Sequence, residues 1–278
     1  AMKLSKRITG RSEIIYCKDS YHGSTQGSLS VMGNEEYKSK YRPLLPNCKQ
    51  IIFNDIKSLE SISCKTAAVI IETVQGASGF KIADNKFLKE LDKKCKEHDV
   101  LIILDEIQTC YGRTGKLFGF ENTPIIPDIL CIAKGMGGGF PIGAFISSWA
   151  NMNKLTFNPK LGHITTFGGH PVNCAASHAT LKFILENNIV EEINEKEALF
   201  RKMLVHEKIK SITGKGLMLS IDLYDNHEIN NIVESCMKDG LLLFYFLFND
   251  SSIRITPPLK LTLNEIEEGC KILLENLD

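Results

Sequence analysis

Five short apolar runs mark the first half of the chain: Glu13 to Cys17, Ala67 to Ile71, Leu101 to Leu104, Ile129 to Ala133 and Ala144 to Ser147. None alternates cleanly with polar residues, so each predicts a strand covered on both faces, as in a largely parallel sheet between helices. Between the second and third runs, Phe87, Leu88, Leu91 and Cys95 recur near every 3.6 residues among charges, which predicts an amphipathic helix. The pattern changes after Pro171. Asn173 to Glu186 and Ile189 to Leu204 predict two long helices with a short break between them. Strand material from Ile212 to Leu223 follows, opened by Gly214 and Gly216. A helix from Glu228 to Met237, strands at Leu241 to Phe246 and Ile253 to Thr256, and a last helix from Leu263 to Leu277 complete the chain. The fold class predicted is α/β, with a large domain over 1–187 and a small α+β domain over 188–278. Ala1 to Arg7 is helical in composition with no capping residue ahead of it, so the chain reads as opening inside a helix.

Composition narrows the function classes. With 278 residues, 43% of them apolar and 24% charged, the chain can fill a core, which argues against disorder. Thirty-three basic residues balance thirty-three acidic ones, so no global field would draw nucleic acid or an anionic membrane. Nine cysteines form no CxxC pair and no zinc-type Cys/His set, and they read as buried thiols in a reducing compartment. The longest apolar run, Leu241 to Phe248, falls far short of the ~20 residues of a membrane helix. These features predict a cytoplasmic enzyme acting on small molecules, with no metal.

Two predicted strand ends carry candidate chemistry. The run Leu101 to Leu104 leads into Asp105, Glu106, Ile107 and Gln108, at the carboxyl end of a strand, where open α/β sheets bind ligands. Taken alone, such acids often only cap a following helix. The next strand leads into Lys134, followed by Gly135, Gly137, Gly138 and Gly139. No Gly-Lys-Ser/Thr follows, so this is not a phosphate-binding P-loop. A lone lysine there is commonly just solvated, but an amine among apolar groups can lose its proton and attack a carbonyl. An amine for a Schiff base and a carboxylate to keep a pyridine nitrogen protonated are together the protein's share of pyridoxal-phosphate catalysis.

The resemblance then becomes specific. Leu104-Asp105-Glu106-Ile107-Gln108-Thr109, Gly112-Arg113-Thr114-Gly115-Lys116, Pro127-Asp128-Ile129-Leu130 with Ala133-Lys134, and Gly137-Gly138-Gly139-Phe140-Pro141 occur in this order. With Tyr21-His22-Gly23, Glu72-Thr73-Val74-Gln75-Gly76, Thr165-Thr166-Phe167-Gly168-Gly169 and Ile253-Arg254-Ile255-Thr256-Pro257, they span nearly the whole chain. The sequence resembles the class III pyridoxal-phosphate aminotransferases, the ornithine, acetylornithine and 4-aminobutyrate type. That resemblance implies the type I fold with a mostly parallel, seven-stranded sheet. It also implies pyridoxal 5'-phosphate as cofactor and ping-pong transfer of an amino group from an amino acid or ω-amine to a 2-oxo acid. Lys134 becomes the Schiff-base lysine, Asp105 the partner of the ring nitrogen and Gln108 that of the ring hydroxyl. Tyr21 and Ile107 flank the ring, His22 and Glu72 support the cofactor, and Arg254 grips the substrate carboxylate. Thr166 reaches the phosphate of a neighbouring subunit, which implies a homodimer with shared active sites.

Three departures qualify the resemblance. Ser24 stands where dicarboxylate-using relatives carry an arginine, and Ala77 where the ornithine type carries a glutamate. Both remove charge from the pocket, which predicts a weak preference for 2-oxoglutarate. Relatives also carry a further N-terminal segment that holds the cofactor phosphate. The alternatives left open are an aminomutase or racemase of the same fold, and an inactive chain serving as a dimerising partner.

Overall fold

The computed structural model describes residues 1–225, 227 and 229–278. Its first eight strands are β1 (Glu13–Cys17), β2 (Cys48–Ile51), β3 (Thr66–Ile71), β4 (Val74–Gln75), β5 (Lys81–Ile82), β6 (Leu101–Asp105), β7 (Ile129–Ile132) and β8 (Ala144–Ile146). Six of them form one sheet in the order β2-β1-β3-β6-β7-β8, and β4 pairs with β5 alone. The first five strands of the large sheet run parallel and β8 runs antiparallel against β7. The described residues thus give six strands where the resemblance implies seven.

Period-two geometry explains why unalternating sequence makes these strands. Ile15, Cys17, Val69, Ile71, Ile102, Leu104 and Leu130 point into one core, against Phe87, Leu88, Leu91 and Cys95 of the helix Asn85–Glu97. Their neighbours Ile14, Tyr16, Ala68, Ile70, Ile103 and Ile129 point into a second core on the other face, under Leu4 of the helix Met2–Thr9. Both faces are covered, so every position has to be apolar. β2 is the strand the sequence does not announce: Lys49 and Gln50 are exposed at the sheet edge, and its pattern is too polar to read as a strand.

The helices Pro171–Glu186 and Ile189–Met203 lead to a second, antiparallel sheet. Its strands are β9 (Ile209–Lys215), β10 (Met218–Leu223), β11 (Phe244–Tyr245) and β12 (Ser252–Ile255), in the order β11-β12-β10-β9. It packs with the helices Ile229–Lys238 and Leu263–Glu275 on a core that includes Leu219, Ile221, Ile253, Ile255, Ile266 and Cys270. Two corrections follow. The strand material expected from Ile212 is a hairpin that turns at Gly216 and Leu217. The run Leu241 to Phe246 supplies only the two strand residues of β11, because Leu243 and Phe246 are buried outside the ladder while Leu242 and Phe244 are exposed. Glu228, the expected first residue of the helix before it, lies outside the described residues.

The thiols also differ from expectation. Cys17, Cys95, Cys110, Cys236 and Cys270 are buried, but Cys64 and Cys174 are exposed, the first just before β3 and the second in the first turn of the helix Pro171–Glu186. All nine are free thiols. No helix among the described residues is long and apolar enough to cross a membrane.

Candidate active site

Five parallel strands deliver their carboxyl ends to one edge of the large sheet, and the chemistry-bearing residues leave from that edge. Tyr21 and His22 follow β1, Glu72 follows β3, Asp105 ends β6 and Lys134 follows β7. They meet in a cavity of about 310 Å³ lined by Tyr21, His22, Glu72, Asp105, Lys134 and Arg254, among others. Ile107 and Gln108 complete its wall, with Val74, Ala77 and Leu247 supplying apolar surface.

Asp105 is held rigidly. Its Oδ2 accepts from His22 Nδ1 at 2.8 Å, and its Oδ1 accepts from the backbone N–H of Ile107 at 3.0 Å. Burial pushes the His22 imidazole down, but the hydrogen bond to Asp105 and the charges of Asp105 and Glu72 outweigh it and raise its pKa. The hydrogen-bonded imidazole keeps the carboxylate oriented. His22 Nε2 is buried and has no partner, so a polar atom here awaits a group that the chain itself does not provide.

Glu72 lies behind this pair, accepting from the backbone N–H groups of Tyr21 at 3.2 Å and Gly76 at 2.9 Å. Burial raises its pKa to about 7, with Asp105 adding to the rise and the His22 charge and the two N–H bonds opposing it. A group whose folded pKa lies above its ordinary 4.5 stabilises the fold fully below that value and loses the contribution as pH rises through about 7. The cofactor-free protein should therefore lose about 3 kcal/mol between pH 5 and 8 from this group, and His22 loses stability in the same direction above its ordinary value. Urea midpoints across that range check it: Glu72→Gln should flatten the slope, and a parent slope equal to the variant's would contradict the assignment.

Lys134 sits at φ +48°, a left-handed conformation that non-glycine residues rarely adopt, as the chain turns sharply out of β7. Burial lowers its pKa most, Asp105 opposes this, and the charge of Arg254 lowers it further. The net effect is downward, toward easier loss of the proton that a nucleophilic amine must give up. Gln108 packs across the turn at Gly76, where a β-carbon would lie 2.0 Å from its Oε1, so only glycine permits this placement.

Arg254 projects from β12 on the opposite wall. Its guanidinium lies over the rings of Phe80 at 5.3 Å and Phe246 at 5.9 Å, and no acid among the described residues pairs with it. Burial lowers its pKa. An unpaired guanidinium on an aromatic floor is a ready site for a carboxylate.

Thr166 is the predicted site residue that this cavity does not include; it is exposed in the irregular stretch before Pro171. Sequence reasoning left Leu247 without a role, and its apolar run carries no sign that one residue turns to the cavity. Glu106 adjoins the site without entering it. Its oxygens accept from Thr109 Oγ1 at 2.8 Å and from the backbone N–H groups of Gly119 and Phe120 at 2.5 Å, pinning the loop that follows β6.

The class-III aminotransferase family model matches residues 1–277. The chain belongs to the class III aminotransferases. Among curated relatives of this aminotransferase is the acetylornithine aminotransferase of Caldanaerobacter subterraneus subsp. tengcongensis, 39% identical over 285 residues that cover 98% of this chain and 71% of the relative. The LysW-aminoadipate semialdehyde/glutamate semialdehyde transaminase of Sulfolobus acidocaldarius is 37% identical over 282 residues, covering 100% of this chain and 71% of the relative. Among solved structures, the ornithine aminotransferase of Toxoplasma gondii, with partial occupancy of pyridoxal phosphate at its active site, superposes with a TM-score of 0.91. It is 26% identical, and the match covers 99% of this chain and 67% of that one. A pyridoxal-phosphate-bound amine transaminase from an uncultivated Pseudomonas species gives 0.89 at 26% identity, over 98% and 72% of the two chains. The aminotransferase described here is a pyridoxal-phosphate enzyme of the type I fold. Its cavity fits that cofactor: a held carboxylate, an amine with lowered pKa and the unpartnered His22 Nε2 share one site.

Proposed function

We propose that Lys134, Asp105 and Arg254 carry ping-pong transfer of an amino group from an amino acid or ω-amine to a 2-oxo acid. The observation that carries this is that the lysine, the His22-braced acid and the unpaired arginine open into a single cavity. Bound pyridoxal phosphate supplies a carbonyl for covalent capture of amines and a ring that, when protonated, draws electrons from the substrate's α-carbon. Lys134 would be the attachment point, and its Nζ would be the group that carries the proton. Asp105 would keep the ring nitrogen charged, Gln108 would hold the ring hydroxyl, Tyr21 and Ile107 would hold the ring between them, and His22 and Glu72 would orient the acid. Arg254 takes the substrate carboxylate with its planar fork.

Donor added without acceptor tests the reading. A transferase releases about one equivalent of oxo product per site and stops, as a ping-pong sequence requires. An aminomutase or racemase releases none, and that result would remove the transferase assignment.

The same reading includes a homodimer. Leu161, Ile164 and Phe167, close to Thr166 in the chain, are 74, 71 and 74% exposed, and such exposed apolar side chains support association through this segment. Sedimentation as a monomer at micromolar concentration would contradict it. The division at 187/188 is supported by the change of core between Ile189, which packs with the large sheet, and Ile193, which packs with the small one. Nine free thiols support a reducing, cytoplasmic setting.

A further inference from the structure

Arg254 is useful only if β12 is held at the correct height above the Lys134 and Asp105 floor, and the floor and β12 belong to different sheets. Within its own sheet, Arg254 is in register with Ser220 of β10 and Phe244 of β11. Its flanking residues Ile253 and Ile255 are buried in the small core, which fixes which way the strand faces. Contacts such as Thr213 Oγ1 to the Gly79 carbonyl and the Phe248 N–H to the Ala77 carbonyl join the two sheets along one side, and at the end of β12 the tie is one residue of the loop after β6.

Arg113 Nη1 donates to the carbonyl of Pro257 at 2.5 Å and to that of Leu217 at 3.3 Å. The backbone carbonyl of Arg113 accepts from the N–H of Leu217 at 2.9 Å. Pro257 lies just beyond β12, and Leu217 is the turn residue just before β10, the strand in register with Arg254. Both strands that hold Arg254 are therefore tied, at their large-sheet ends, to the same side chain. The contact is close enough that a β-carbon on Gly216, at φ +61°, would lie 2.4 Å from the Arg113 carbonyl. Arg113 is in turn anchored to Asp105 through the loop that Glu106 pins.

The two guanidiniums are also electrostatic neighbours. Burial and then the charge of Arg254 lower Arg113 to about 10, and no acid among the described residues pairs with either. Arg113 does not line the main cavity. It lines the adjoining chamber with Lys134, Gln108 and Arg254. A carboxylate at Arg254 thus gains from a second fixed charge that it does not touch.

We infer that Arg113 is a positioning and specificity residue, which sets Arg254 for the substrate carboxylate by clamping β10 and β12 to the loop after β6. The inference rests on the proposed role of Arg254. Its test compares a 2-amino acid with the amine in which hydrogen replaces the carboxylate, in the parent, Arg113→Gln, Arg113→Lys and Arg254→Gln. For Arg113→Gln the amino-acid/amine ratio of kcat/KM should fall about ten- to hundred-fold, through KM of the amino acid, since a misplacement of about 1 Å has effects of that size. Arg113→Lys keeps the charge without the fork and should fall between. A ratio that stays within about two-fold in Arg113→Gln while Arg254→Gln lowers it would overturn the inference and leave the Arg254 reading intact. A ratio unmoved in Arg254→Gln would overturn both. Phenylglyoxal labelling of Arg254, read by peptide mass with and without butanoate, needs no turnover: protection by butanoate should weaken about ten-fold in Arg113→Gln, and equal protection overturns the inference.

Discussion

Lys134→Ala should lose at least about 10⁴-fold in transamination rate while the protein still folds, because one side chain is asked for two separate tasks. Covalent attachment of the cofactor needs a nucleophilic amine, and movement of the substrate proton needs a base of matched pKa within reach. Proton transfer by a positioned base is worth about 10²–10⁴-fold on its own, and attachment adds to it. The environment is tuned to both, since burial favours the neutral amine and Asp105 limits the shift. Removing the side chain from a position at φ +48° relieves no strain that an alanine would not share, so the loss is chemical rather than structural. Rates from single turnovers check the size. Borohydride reduction of the reconstituted parent, followed by peptide mapping, should place the label on Lys134; a label elsewhere, or full activity in Lys134→Ala, would sink the assignment.

Asp105→Asn should lower kcat by roughly 10²–10³-fold, the usual cost of removing one preorganised electrostatic partner from a dry site. The substitution keeps the shape. Its Oδ1 can still accept the Ile107 N–H that Asp105 accepts at 3.0 Å, and its other end still faces His22. What is lost is the negative charge that keeps a ring nitrogen protonated, and with it the pull on the substrate's α-carbon. The His22 pKa should fall at the same time, because burial, the largest influence on it, then goes unopposed by the charge of Asp105. Imidazole NMR titration of the variant follows this second change. An Asp105→Asn enzyme with kcat within about three-fold of the parent would show that the charge is not used in the rate-limiting step.

Much of this was legible along the chain. Strands β1, β3, β6 and β7 stand where unbroken apolar runs lie, because a sheet buried on both faces imposes one simple demand on every position, and β8 follows the same pattern at the edge although Ile146 is exposed. Asp105 and Lys134 were visible because strand ends in such sheets converge on one edge, and their spacing matched a known order of motifs. The polar edge strand β2 was not legible, since an edge has only one neighbour to satisfy and tolerates Lys49 and Gln50.

Tertiary structure alone decided the rest. No local pattern reveals that Glu72 lies buried behind His22 and is lifted to about 7, that His22 Nε2 is left unpartnered, or that Glu106 turns away from Asp105 to bind Gly119 and Phe120. Nor does the sequence show Arg113 reaching Pro257 across 144 positions. The physical reason is common to all four. Periodicity and motif order report what each residue needs from its immediate chain, whereas charge shifts, orphaned polar atoms and clamps between sheets depend on which distant groups share the same small volume without water.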